Sequence, residues 1–278
     1  MEIPAKGFTH GGKFHADDVL STALLRILRP DIRVERGFQV PEGFEGIVYD
    51  IGDGPFDHHA YPREERPNGV PYAALGKLWR ELGPGLVGEN QARLIDENFI
   101  QPLDLNDNEG VQDSLADAIG SFNPRWDSGQ SSDECFWKAV DFAQIVWENR
   151  IQDALAVSRA DALVQQAYKE SKNGIVILPG YMPWKNGLYR TDAIFVVYPS
   201  QRGGWSAQCC MDRKTKKNKV PFPQSWAGQP AAVIREKSGI PGMKFCHAAR
   251  FLITAETREE AVEACKLTLR LNGRKVED

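Results

Sequence analysis

Five histidines occur in the whole chain, and four of them fall into two short clusters that also contain carboxylates. The first cluster reads His10-Gly-Gly-Lys-Phe-His15-Ala-Asp17-Asp18. The second runs from Asp50 through Asp53 to Asp57-His58-His59. Imidazole and carboxylate together are ligands for Mn, Fe, Co or Zn, and a carboxylate-rich mixture leans towards Mn or Mg. Each residue also has a plainer reading. Asp17 is well placed to cap the helix that starts beside it, because Asp is a favoured N-cap. Asp50 could simply end a strand, although a carboxylate beside an apolar strand needs a partner once it is buried. Asp53 is accounted for by a Gly-Asp-Gly-Pro turn, and His58 and His59 by an exposed loop. What argues for a site is coincidence: scarce histidines gather beside carboxylates twice.

Both clusters are expected at strand ends. Residues 6–10 (KGFTH) read as a short strand that ends on His10, and a helix follows from about Asp17, with Leu20, Ala23, Leu24, Ile27 and Leu28 at helical spacing until Pro30 stops it. Residues 46–52 (GIVYDIG) form a nearly continuous apolar run between glycines, as a buried parallel strand does. In open parallel sheets, ligands collect in the crevice at the carboxyl ends of the strands. Further helices are predicted over 71–82 and 88–103, and a loop over 121–132. Residues 133–172 contain neither Pro nor Gly and predict one or two long helices. Strands are predicted over 174–179, 192–198, 205–211 and 247–254, with a last helix from about Thr257 to Leu271. The segment 212–219 (DRKTKKNK) reads as a solvated hairpin or loop.

Charge divides the chain. Residues 1–171 hold 29 acidic and 16 basic side chains, a net of −13, whereas residues 172–278 hold 9 and 18, a net of +9. An acidic part can hold cations and a basic part a polyanion. The expected organisation is a metal-binding catalytic domain over 1–132, a helical connector over 133–172 and a basic substrate-binding domain over 173–278. The start carries no basic segment followed by an apolar one, and no stretch approaches the ~20 apolar residues of a membrane helix. Five cysteines without a pairing pattern suggest reduced thiols and a cytoplasmic protein. Cys209 and Cys210 read as the core and surface positions of one strand. No GxGxxG, Walker A, HExxH or GxSxG motif is present.

The Asp57-His58-His59 triplet, preceded by a strand-end aspartate and an N-terminal His/Asp cluster, resembles the DHH phosphoesterase superfamily. The likeness is greater to its Myg1-type branch of metal-dependent hydrolases and exonucleases. It is carried by Thr9-His10 to Leu20, by Val48 to Gly52 with Phe56 to His59, by Glu97 to Ile100 with Asp104 and Asp107-Asn108, by Phe122-Asn123-Pro124 with Trp126, and by Ser238 to Gly242 with Phe245, His247 and Ala248. The resemblance implies an α/β, two-domain DHH phosphoesterase-like fold with a mainly parallel N-terminal sheet and a smaller α/β C-terminal domain. It implies His10, His15, Asp17, Asp50, His58 and Asp107 as ligands of two divalent ions, Mn first and Mg, Co or Zn as alternatives. Asp50 would bridge the ions, Asp57 would support His58, and His59 would face the phosphate. Asp104 rivals Asp107, because Glu109 interrupts the usual Asp-Asn-Gly. His247, with Lys244 and Arg250, would bind substrate in the basic domain, where the family's glycines are replaced by Arg250-Phe251-Leu252-Ile253. The implied activity is 3'-5' exonuclease or oligonucleotide phosphodiesterase on single-stranded RNA or DNA. The alternatives are a phosphohydrolase of pyrophosphate, polyphosphate or nucleotides, and a non-catalytic metal- or nucleotide-binding regulator.

Overall fold

A computed structural model describes residues 1–277. The chain divides into two compact units, Met1–Leu155 and Ala156–Asp278. Their net charges are −13 (27 acidic, 14 basic) and +9 (11 acidic, 20 basic); the division falls within the expected connector over 133–172, and the charges match those of 1–171 and 172–278 because residues 156–171 are net neutral.

The first unit is built on a three-stranded parallel sheet in the order β2-β1-β3, with β1 at Lys6–His10, β2 at Arg33–Gly37 and β3 at Ile47–Val48. The run over 46–52 supplies only two ladder residues. Tyr49 then bridges to Phe56, and Asp50 leaves extended geometry with φ of 58°. Helix α1, Ala16–Leu28, buries the apolar face expected of it, including Val19, Leu20, Ala23 and Leu24. Helix α2, Ala74–Val87, begins later than expected and continues past Pro84. Helix α3, Glu89–Ile95, runs through a π-helical turn at Asp96–Ile100 directly into α4, Gln101–Glu109, where Gly110 ends it in the left-handed conformation. A short α5, Ser114–Gly120, is capped by Asp113. The Pro- and Gly-free stretch is one 38-residue helix, α6 at Ser132–Lys169, whose first two-thirds complete the core of this unit. Trp79 and Trp147 stack there at 5.0 Å, and each donates its indole N–H, to the carbonyls of Ala92 and Leu20 respectively.

The second unit is a five-stranded mixed sheet, β4-β5-β6-β8-β7: Ile175–Ile177, Phe195–Pro199, Trp205–Cys209, Leu252–Ala255 and Met243–Cys246. Only β4 and β5 run parallel. Helices α7 (Lys185–Leu188), α8 (Ala231–Ser238) and α9 (Arg258–Leu271) complete it. Two apolar clusters cover the sheet, one containing Cys209 and the other Cys210, and both thiols are buried. The expectation that one of this pair faces solvent is therefore wrong: side chains alternate between the faces of a strand, but here both faces are covered. All five cysteines are free and buried. No helix among the described residues is long and apolar enough to cross a membrane.

Candidate metal centre

The two histidine clusters meet. β1 ends on His10, the following loop carries His15, and the first turn of α1 carries Asp17 and Asp18. That loop is clamped from outside: the Asn123 side chain accepts from the Phe14 amide at 3.1 Å and donates to the Phe14 carbonyl at 2.9 Å. Arg36 donates to the Gly12 carbonyl at 3.0 Å, and Ser132 bonds the same oxygen. Beyond β3, the turn through Asp53 returns the chain so that His58 Nε2 lies 2.9 Å from Asp50 Oδ1. His10 Nε2 lies 3.2 Å from the other oxygen of Asp50 and 3.1 Å from Asp18. Asp107, near the end of α4, reaches 3.2 Å from His58 Nε2 and 3.7 Å from His15 Nδ1. Three sets of side chains are each close enough to share one ion: Asp50-His58-His59, His10-Asp18-Asp50 and His15-Asp17-Asp107. Asp50 belongs to two of them. A cavity of about 700 Å³ opens onto the cluster, with Lys13 and Arg63 also on its wall.

Asp104, the rival of Asp107, is not in the cluster. It is fully buried, with one oxygen 2.7 Å from Arg66 and the other accepting from the Gly76 amide. Asp57 holds a different ring from the one expected. Its Oδ1 accepts from His59 Nδ1 at 2.7 Å and from the His59 amide, and its Oδ2 accepts from the Asp53 amide at 2.8 Å. His58 instead has Asn108 beside its Nδ1, at 3.4 Å. Lys77 secures the same turn by donating to the Asp57 carbonyl at 2.7 Å. Asp53 is an exposed turn residue at φ of 56°. The residue missed from the sequence is Asp18. Its Oδ1 accepts from the His15 and Val19 amides and so caps α1, while its Oδ2 faces His10. The capping role considered for Asp17 therefore belongs to its neighbour. The doublet Asp17-Asp18 was the signal, but adjacency alone does not say which carboxylate turns inward. In the second unit, His247 accepts from the Ala249 amide and packs at a tilt against Phe251, with ring centroids 4.4 Å apart, Lys244 lies 3.5 Å from Glu256, and Arg250 sits at φ of 60°.

The electrostatics of the cluster call for cations. Asp17 is wholly buried, and neither of its oxygens has a hydrogen-bond donor. Burial, followed by the charges of Asp50, Asp107 and Asp18, holds its carboxyl well above the usual range. Burial likewise raises Asp18, against the pull of His10. For Asp50, burial is outweighed by hydrogen bonds from His10 and His58, which bring it down to about 2. His10 is the counterpart: burial opposes its charged form, but Asp18 and Asp50 push it up to about 10. His58 is raised in the same way against burial, chiefly by Asp50. Four carboxylates, Asp17, Asp18, Asp50 and Asp107, thus crowd around His10, His15 and His58, and Asp17 is left without a hydrogen-bond donor. Buried ionic groups of this kind are stable only when paired or coordinated to metal. The donors are nitrogen and oxygen only, which suits Mn, Mg, Co or Zn, and the residues present therefore fit divalent ions.

The family model MYG1_exonuc, described as Uncharacterised protein family (UPF0160), matches residues 7–269. Among curated proteins, the chain is similar to the MYG1 exonuclease of Homo sapiens, at 29% identity over 97% of this chain and 87% of the relative. It is also similar to a MYG1 protein of Saccharomyces cerevisiae, at 28% identity over 94% of each. A MYG1 protein of Chlamydia pneumoniae is 27% identical over 98% of this chain and 99% of its own length.

Proposed function

The chain belongs to the MYG1 family, whose model spans residues 7–269, and from that membership we propose that it is a DHH-type metal-dependent phosphoesterase acting on single-stranded RNA or DNA, most simply a 3'-5' exonuclease. One observation carries the reading: a cluster of four carboxylates and four histidines, in which Asp17, Asp18 and Asp50 are buried, contains an aspartate, Asp17, with no donor for either oxygen. His10, His15, Asp17, Asp50, His58 and Asp107 would hold two divalent ions, and Asp18 is added to that set. Such ions, when bound, lower the pKa of a shared water towards neutrality and neutralise phosphoryl oxygens. Asp50 suits a bridging position because its two oxygens face different imidazoles, His58 at 2.9 Å and His10 at 3.2 Å. His59 is exposed, and its Nδ1–H donates to Asp57, which fixes the ring beside the cavity; in its imidazolium form the ring's Nε2–H would donate to a phosphoryl oxygen. Lys13 and Arg63, on the same cavity wall, add positive charge for a phosphodiester. The second unit carries a net of +9 and the residues His247, Lys244 and Arg250, which suit it to bind a polyanion.

The test is hydrolysis with and without added Mn across 3'- and 5'-labelled oligonucleotides, dinucleotides and pyrophosphate. The expected result is Mn-dependent release of mononucleotides from the 3' end, lost in a folded Asp50→Asn variant. Turnover of pyrophosphate alone would replace this reading with a small-substrate phosphohydrolase. Full turnover by Asp50→Asn at saturating Mn would remove Asp50 from the bridge.

A further inference from the structure

A cavity of about 500 Å³ lies wholly within the second unit, on residues that the metal-site reading does not use. Its volume falls within the ordinary range for small-molecule sites. The inner wall is apolar and buried: Trp184, Leu188 and Cys210, with Phe251 closing one side. Tyr189, 40% exposed, stands at the rim. The Lys216 ammonium donates to the Tyr189 hydroxyl at 2.5 Å and lies 4.9 Å from its ring centroid, and Arg213 lies 6.0 Å from the same centroid. Lys185 is a second cation of the lining, and no carboxylate belongs to it.

The segment 212–219 is the exposed hairpin turn that its composition suggests, and it has a defined shape. Asp212 caps it by accepting from the Lys214 and Thr215 amides, and Lys216 adopts φ of 57°. Lys219, at the segment's end, is half-buried and donates to the carbonyls of Thr191 and Ala193. Gln208 gives its Oε1 to the Tyr198 hydroxyl at 3.0 Å, which leaves its amide N–H groups to meet a ligand. The cysteines of the lining are not nucleophiles: burial pushes both Cys209 and Cys210 up to about 12.

The chemistry that covers all of these walls at once is a flat aromatic ring with a hydrogen-bonding edge and an attached anion. An inorganic anion would leave the apolar wall bare, and a neutral ring would leave the cations unused. We propose that this cavity is a metal-independent nucleotide site, in which the base packs against Trp184, Phe251 and Tyr189 and the phosphate meets Lys185 and Lys216. The proposal stands on the second unit alone and does not require the metal centre to be catalytic.

The test uses the full chain in EDTA, with binding measured by calorimetry for 5'-AMP, for ribose 5-phosphate and for a short oligonucleotide as competitor. The expected result is that 5'-AMP binds and that ribose 5-phosphate binds at least about tenfold more weakly, since base stacking on an aromatic contributes that much or more. Tyr189→Ala and Lys216→Ala should each weaken 5'-AMP about tenfold, and Tyr189→Phe, which keeps the ring, should recover most of the loss. Asp50→Asn should bind 5'-AMP as the parent does, so that failure of the metal reading leaves this result intact. Displacement of 5'-AMP by the oligonucleotide would identify the ligand as a nucleotide unit of a strand, and absence of displacement as a free nucleotide. Lack of 5'-AMP binding in EDTA, equal binding of ribose 5-phosphate, or parental affinity in both alanine variants would overturn the proposal.

Discussion

Replacing Asp17 by Asn separates a cation site from an ordinary buried ion-pair network, because the two predict opposite signs. The carboxylates of Asp17 and Asp107 place oxygens within 4.8 Å of each other. Two full charges at that distance repel by about 3.5 kcal/mol at an effective dielectric of about 20. Burial and the neighbouring charges raise the affinity of the Asp17 carboxyl for a proton, which offers partial relief. Holding that proton at pH 7, against an ordinary value of 3.8, costs at most about 4 kcal/mol. His58, whose Nε2 lies 3.9 Å from Asp17 Oδ2, relieves some of the strain, so the net penalty in the metal-free protein is about 1–3 kcal/mol. Asn has the same shape and no charge, so it should remove that penalty.

The assay is thermal unfolding in EDTA and in excess Mn. In EDTA, Asp17→Asn should melt higher than the parent, by roughly 2–4 °C for each kcal/mol recovered. Mn at about a hundred times its dissociation constant should stabilise the parent by about 2.7 kcal/mol, and it should stabilise the variant much less. The order of the two proteins therefore inverts between the conditions. A variant that is less stable than the parent in EDTA would mean that Asp17 has partners that stabilise it without metal. An undiminished Mn shift would mean that the ion sits elsewhere. Either result refutes the reasoning.

Three further outcomes are expected. Burial pushes Asp104 up to about 7 despite Arg66, which it shares with Asp96. Its folded value thus exceeds its unfolded one, and stability should fall as pH rises from about 4 through 7. Asp104→Asn, measured by denaturant unfolding in saturating Mn, should flatten that slope. Gly76→Ala should destabilise the first unit by about 1–3 kcal/mol, because its Cβ would lie 2.0 Å from Asp104 Oδ2 and 2.7 Å from Arg66 Nη2. Calorimetry would detect this as a lowered transition, and an unchanged one would mean that the Arg66–Asp104 pair yields freely. Affinity for single-stranded oligonucleotide should fall with salt at a log–log slope of at least about −2, as each neutralised phosphate contributes roughly −0.7. Neutralising Lys214, Lys216 and Lys217 together should make the slope shallower, and a flat salt series for the parent would remove the polymer as substrate.

The sequence revealed elements wherever apolar pattern and secondary structure coincided. β1, α1, α6 and α9 carry continuous or periodic apolar positions and were legible. β2 was not, because Arg33-Val-Glu-Arg-Gly37 alternates charges on an edge strand and offers no buried face for a pattern to report. β7 escaped for a different reason: four residues with a register shift between Met243 and Phe245 are too short and irregular to show alternation. In the site, His10, His15, Asp17, Asp50 and His58 could be proposed from their residue types, but the partners that set their geometry could not. Asn123 lies 109 residues from the Phe14 backbone it clamps, and Lys77 lies 20 residues from the Asp57 carbonyl it holds. Such contacts leave no local period. The same distance in sequence hid the assignment of Asp57 to His59, and of Asn108 to His58.

Asp50 shows why residue type and spacing could single out these residues but not describe how they meet. A non-glycine residue at φ of 58° costs on the order of 1–3 kcal/mol and persists only where its surroundings over-determine it. Glycine would relieve the strain and is what a simple strand-end turn would use. The aspartate is retained against that cost because the left-handed turn aims its carboxylate back across the end of the sheet, between His10 on β1 and His58 on the returning loop. Its amide meanwhile donates to the Phe56 carbonyl, which ties the turn to the segment carrying Asp57, His58 and His59. Backbone strain at one residue therefore joins the two histidine clusters.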